Sequence, residues 1–326
     1  MPTYRIPRSC FTWLLLIAEM TSLIAVGTRP AAAQTGESGV GHDTNVVYQQ
    51  LLRPGLRAPS GKVVPFPPPY LADNVDADQQ QAILNELTRG ASDRYLRESM
   101  VAPHVCKLNE IEEGAEGVVR GIDYWFIAYA DLDAITSTDF LSGLEGDVAS
   151  DEEKESLQES RALTEGDLAK RNITLAAPHA YSHGVSPEAY GQARFRLLNR
   201  VELSAVGRTY WTRTEHSAIV AFQVDDRFVT DREFPLQWSP LTRQTDGSLV
   251  TEAPQAYSGA GSYIKVTRLA EPERALFVEG HVVYWEPHGW FDGRNQLRAK
   301  IPAIVQNQVR TARREMVAAS AKQATK

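Results

Sequence analysis

The stretch Ala275-Leu276-Phe277-Val278-Glu279-Gly280-His281-Val282-Val283-Tyr284-Trp285 decides the fold. It holds no proline and is rich in β-branched and aromatic residues, the types that suit a pleated, buried surface. With a period of two, Leu276, Val278, Gly280, Val282 and Tyr284 point one way, and Phe277, Glu279, His281, Val283 and Trp285 point the other. A short link, Glu271-Pro272-Glu273, joins this run to an earlier one at 263–269. Two strands joined that briefly are antiparallel neighbours. Runs at 201–206, 218–224 and 118–130 read as further strands, so the pattern is an antiparallel meander.

After the meander the period changes. Ile301, Val305, Val309, Ala312 and Met316 form a stripe at helical spacing, and Gln306, Arg310, Arg313 and Arg314 are expected opposite it. Pro302 suits a first helical position, where its missing N–H costs nothing. Earlier, Asp76 with Gln79 three residues on predicts a capped helix start, followed by Ile83, Leu84 and Leu87. Asp93 is the expected N-cap of a second piece. The fold class that follows is α+β, a curved antiparallel sheet packed against a long C-terminal helix, with N-terminal helices.

The strand 275–285, the Gly289-Trp290 turn and the proline-initiated helix 301–309 together resemble the START-like and polyketide-cyclase-like helix-grip superfamily. The resemblance covers roughly residues 195–318. It implies a sheet that grips the last helix around an apolar cavity, and hence binding of a hydrophobic small molecule. It brings no catalytic motif.

The chain has 326 residues, 43% of them hydrophobic and 23% charged, which excludes a collagen, a coiled-coil rod or a wholly disordered chain. Residues 1–33 read as a signal peptide, with Arg5 and Arg8, an apolar run over 11–26, and Ala31-Ala32-Ala33 as the cleavage site. The run is short for a membrane span and contains Glu19, so cleavage after Ala33 is expected, and with it a secreted or periplasmic address. Taking Arg5, Arg8, Arg29 and Glu19 from 34 basic and 41 acidic residues leaves 31 and 40, a net charge of −9. That balance gives no global attraction to nucleic acid, and no further apolar run predicts a membrane span. Cys106 is left alone and reads as a small buried apolar residue.

Residues 34–75 carry Pro54, Pro59, Pro65, Pro67, Pro68 and Pro69 and read as a flexible leader. A single domain is expected over 76–320, with a disordered tail at 321–326. Within it, 145–170 holds nine acids against three bases and is expected to be a solvated excursion.

Few residues offer chemistry. Glu279 and His281 share a strand face and form a candidate polar site with His288 and Asp292 at the following corner, Trp285-Glu286-Pro287-His288-Gly289-Trp290-Phe291-Asp292-Gly293. The same corner reads equally as turn glycines and core-closing aromatics. Asn172-Ile173-Thr174 matches a glycosylation sequon. His179 and His183 stand at i and i+4 but lie among Pro178, Gly184 and Pro187, and no metal site is expected there. No cofactor is expected. Ser258-Gly259-Ala260-Gly261-Ser262 lacks a phosphate-loop lysine and reads as a strand-entry turn. The function expected is non-catalytic binding of a hydrophobic molecule, lined by Val278, Val282, Tyr284 and Val305. The alternatives are a secreted enzyme working over 279–292, or a cell-envelope protein-interaction module.

Overall fold

The computed structural model describes residues 41–325 apart from 74, 138–139, 141–156, 176–187, 258 and 292–295. Asp292 and the His179–His183 pair lie outside the described residues, as does the chain before residue 41.

The strands are antiparallel throughout. In chain order, β1 (Leu56–Arg57) and β2 (Val63–Val64) form a small hairpin. The main sheet follows, with β3 (His104–Glu113), β4 (Gly117–Tyr129), β5 (Leu157–Ala162), β6 (Glu188–Leu197), β7 (Val201–Arg213) and β8 (Ser217–Val224). It is completed by β9 (Gln237–Arg243), β10 (Leu249–Thr251), β11 (Gln255–Ala256), β12 (Ala260–Arg268) and β13 (Ala275–Pro287). Its spine runs β10-β9-β7-β8-β12-β13-β4-β3, with β5 and β6 continuing from β7. Between them the α-helices are α1 (Val46–Leu52), α2 (Ala77–Thr88), α3 (Ser92–Tyr95), α4 (Leu132–Ile135), α5 (Glu165–Ala169) and α6 (Gln296–Ala324). The α+β reading from the sequence therefore stands: a large antiparallel sheet and a long C-terminal helix.

Both faces of β13 are buried, and each is covered by a different end of the chain. On one side lies α6, which crosses β3 and β4 and meets α4. Ile301, Val305, Val309 and Met316 are buried on it as the stripe required, while Gln306, Arg310 and Arg314 are exposed. Arg313 corrects the expected polar face. It is buried, its Nε donates to Ile127 O at 2.8 Å and its Nη1 to Ala102 O at 2.7 Å, and its guanidinium lies over the Phe126 ring. Burial lowers its pKa to about 10. A periodicity count places charge outside, but a guanidinium can go inside when backbone carbonyls satisfy its fork. The helix also starts earlier than Pro302, which sits inside it, and it runs on through 321–324, where a disordered tail was expected.

On the other side lies the segment expected to be a flexible leader, and this is the larger correction. Residues 42–73 form a strap across the sheet. Asn45 caps α1, accepting from Tyr48 N at 2.9 Å, and Val47 and Leu51 are fully buried. Val64, Phe66 and Leu71 follow into the core. The prolines do not prevent this. They favour an extended chain and bring no N–H to satisfy, so an extended, proline-rich strand is cheap to bury. Gly261 makes room for the strap, since a Cβ there would stand 2.6 Å from Leu51 Cδ2. Further on, α2 begins with the expected capping box, with Asp76 Oδ1 accepting from Gln79 N at 2.8 Å. Asp93 lies in the first turn of α3 rather than at its N-cap. Part of the acidic stretch is also structured: β5 pairs with β6, and α5 carries a Thr164–Asp167 capping box with Asp167 buried.

Candidate functional site

Register fixes what each face of the sheet carries. Residues directly opposite one another on paired strands share a face. Toward the strap, one row runs Thr212, Ile219, Lys265, Glu279, Trp125, and the next runs Tyr210, Ala221, Tyr263, His281, Asp123. Lys265, Glu279, His281 and Asp123 thus meet in the middle of the strap-covered face.

They are satisfied as one network. Glu279, at 0% exposure, accepts from Tyr70 N at 2.7 Å, and its Oε2 stands 3.3 Å from His281 Nε2. His281 Nδ1 stands 2.7 Å from Asp123 Oδ1, and Asp123 Oδ2 accepts from Asn109 Nδ2 at 2.7 Å. An imidazole with a carboxylate on each nitrogen is a donor twice over, which is the protonated form. Burial pulls the His281 pKa down, but its bonds to Asp123 and Glu279 outweigh that, and the net shift is upward. The Tyr263 ring lies 4.7 Å from the imidazole.

Beside this, Lys265 Nζ donates to Leu71 O and lies against Asp73 Oδ1, both at 2.6 Å. Asp73 also accepts from Ser217 Oγ and Thr214 Oγ1 at 2.8 Å, and His42 Nε2 is 3.3 Å from its Oδ2. Burial alone would raise the Asp73 pKa, but the hydrogen bonds from His42 and Lys265 hold it well below the usual carboxylate range. Ser217, His42 and Asp73 are the residue types of a nucleophile site, yet the geometry is not that of one. Ser217 and Asp73 both address Nε2, Nδ1 faces Thr212 Oγ1 at 2.8 Å, and Ser217 is fully buried. The network is the fastening of the strap. Neither Glu279 nor His281 reaches solvent.

The rest of the expected polar site does not converge with them. His288 is exposed at the β3–β4 turn, its Nε2 2.9 Å from Gly114 O. Seven residues of strand from His281 span roughly 23 Å. The corner itself is an aromatic plug, with Tyr257 stacked on Trp290 at 5.6 Å and on Trp285 at 6.0 Å. Cys106, on β3, is a thiol whose pKa is pushed up to about 11 by burial and by Asp123, which makes it inert.

The opposite face is apolar. Val278, Val282 and Tyr284 lie on it as expected and are buried together with Val305 in one core cluster. Beside Tyr284 a cavity of about 10 Å³ remains, lined by Leu108, Ile122 and Ile301 and large enough for a single water. The helix α6 lies over β3 and β4, whereas the same face of β8 and β12 carries Val220, Ile264 and Val266 only half-buried, with Tyr124 half-buried on β4 and Trp211 at the edge on β7. Two glycines keep this floor flat. The Tyr124 ring lies over Gly280 and the Phe222 ring over Gly207, where a Cβ would stand 2.2 Å and 1.9 Å from ring carbons. The lining expected from the sequence centres on β13, on this same face of the sheet. Val220, Ile264 and Val266 were missed, although their spacing in 218–224 and 263–269 placed them on one side of each strand.

No protein-family model matches the chain, and no curated protein matches it. Among solved structures, human STARD10 is similar with a TM-score of 0.31 and 10% identity, covering 78% of this chain and 84% of that one. CalU16 from Micromonospora echinospora is similar with a TM-score of 0.21 and 10% identity, covering 67% of this chain and 98% of that one. The description of the fold rests on the strand order and helix placement above.

Proposed function

We propose that this chain binds a hydrophobic small molecule on the sheet face that carries α6, beside the helix, and performs no chemistry on it. The observation that carries the reading is the half-buried apolar band of Val220, Ile264, Val266 and Tyr124 beside Trp211, on the sheet face against which α6 packs at β3 and β4. Apolar surface left partly exposed to water gains by meeting an apolar ligand. Val278 and Val282 border the band. The helix-grip resemblance drawn from 275–285 and 301–309 implies the same class of ligand. An enzyme working through Glu279 and His281 would need a substrate to reach two side chains closed beneath the strap. We further propose that the protein works outside the cytoplasm after cleavage at Ala33, on the strength of the charged start, apolar run and alanine triplet.

Two measurements test this reading. Solvent extraction of the purified protein, followed by mass spectrometry, should yield an apolar molecule near equimolar amount. Displacement of an apolar fluorophore should be lost in Ile264→Trp, which fills the band. A protein that carries nothing and binds no such probe would set the reading aside. For the address, N-terminal sequencing of the exported chain should begin at Gln34, and an intact Met1 would contradict cleavage.

A further inference from the structure

The apolar band has a charged end. Alternation along β7 puts Arg213 on the same face as Trp211, and alternation along β12 puts Arg268 on the same face as Ile264 and Val266. Arg213 stands opposite Ala218, which is itself opposite Val266, and Arg268 is one step further on, opposite Leu276. Both guanidiniums therefore belong to the end of the band nearest the β7–β8 and β12–β13 turns. Both are half-buried. They are close enough to act on each other: burial lowers the Arg213 pKa, and the charge of Arg268 lowers it further, against the pull of Asp131. Arg213 has a partner in Asp133 on α4. Arg268 has no side-chain partner among the described residues. The same end is closed toward α6, where Ser320 Oγ accepts from Asp131 N at 2.7 Å.

A half-buried cation beside an apolar surface is costly unless an anion or polar group meets it. Arginine offers a planar fork that fits a carboxylate or a phosphate with two parallel bonds. We propose that the ligand is a single-chain amphiphile with an anionic head, its tail on Val220, Ile264, Val266 and Tyr124 and its head on Arg268, with Arg213 beside it. The proposal rests on the apolar-binding reading above and narrows it to a hydrophobic molecule that carries an acidic head.

The test separates the two. The full chain, stripped of bound lipid, is titrated with oleate, dodecyl phosphate and oleyl alcohol, for the wild type and Arg268→Gln. In the wild type both anions should bind about tenfold or more tighter than the alcohol, the worth of one charge-assisted bond. In Arg268→Gln that advantage should vanish while alcohol binding is unchanged, and Arg268→Lys should restore part of it. The tighter of the two anions identifies a carboxylate or a phosphate head. Equal binding of anions and alcohol, indifferent to Arg268, overturns the anionic head and leaves the apolar site standing. Binding of none of the three by a variant-free, folded protein removes the apolar reading, and this proposal with it. A thermal melt of Arg268→Gln matching the wild type shows that any loss is not unfolding.

Discussion

Lys265 is 2% exposed, with Asp73 and a single backbone carbonyl, that of Leu71, as its partners. Removing a partner from a buried ion pair leaves an uncompensated charge, at about 3–5 kcal/mol. Asp73→Asn should therefore destabilise the protein by that order in urea unfolding, and adding Lys265→Met should recover part of the loss. An Asp73→Asn variant as stable as the wild type would mean that the pair does not hold the strap. His281 gives a pH dependence whose sign is set by its raised pKa. Its stabilising contribution is complete below the ordinary histidine value of 6.5 and is lost as pH rises through the higher folded value. With its proton gone, Asp123 and Glu279 face each other across a neutral ring. Melting temperature should fall as pH rises through that raised value, and His281→Gln should flatten that limb. A wild-type alkaline limb that His281→Gln leaves unchanged would contradict the protonated assignment.

Elements differ in how openly the sequence announced them. The alternation of β13, the capping box of α2 and the stripe of α6 are local patterns, complete within a dozen or so residues, and each was legible. The strap was not, because an extended proline-rich chain has no period and its partners are remote. Lys265 reaches Leu71 across 194 positions, and His42 meets Ser217 across 175. For the same reason the shared face of Glu279 and His281 could be read from the strand, but not that Tyr70 and Leu71 close it. Arg313 was missed because a count of apolar positions is blind to four backbone carbonyls waiting inside. The helix now supports a graded experiment. Val305→Asp puts an unpaired charge at a fully buried position and should cost about 3 kcal/mol or more, whereas Arg310→Asp, exposed one turn on, should cost little. Arg313→Met should fall between them, since it frees buried carbonyls but keeps apolar bulk. Equal effects of the first two on urea midpoints would refute the assigned face.

The whole molecule is a sheet covered on one side by the beginning of the described chain and on the other by its end. The two covers are unlike. The helix α6 follows β13 directly and can dock as soon as it forms. The strap precedes every strand it lies on, and its polar partners are spread over β7, β8, β12 and β13. Its amides of Tyr70 and Leu71 meet nothing until Glu279 is in place, and the buried partner of Asp73, Lys265, comes only with β12. The consequence is a schedule. A chain emerging amino end first presents the strap before the strands it lies on and can seat it only once β13 has formed, so residues 42–73 wait while some two hundred residues assemble behind them. Loop closure over such a separation is slow to be rewarded. Pulse-labelled hydrogen exchange during refolding should show the amides of β12 and β13 gaining protection before those of Tyr70 and Leu71, and the reverse order would refute it. Until that step the face bearing Lys265, Glu279 and His281 stays wet, and the sheet is built with one side open.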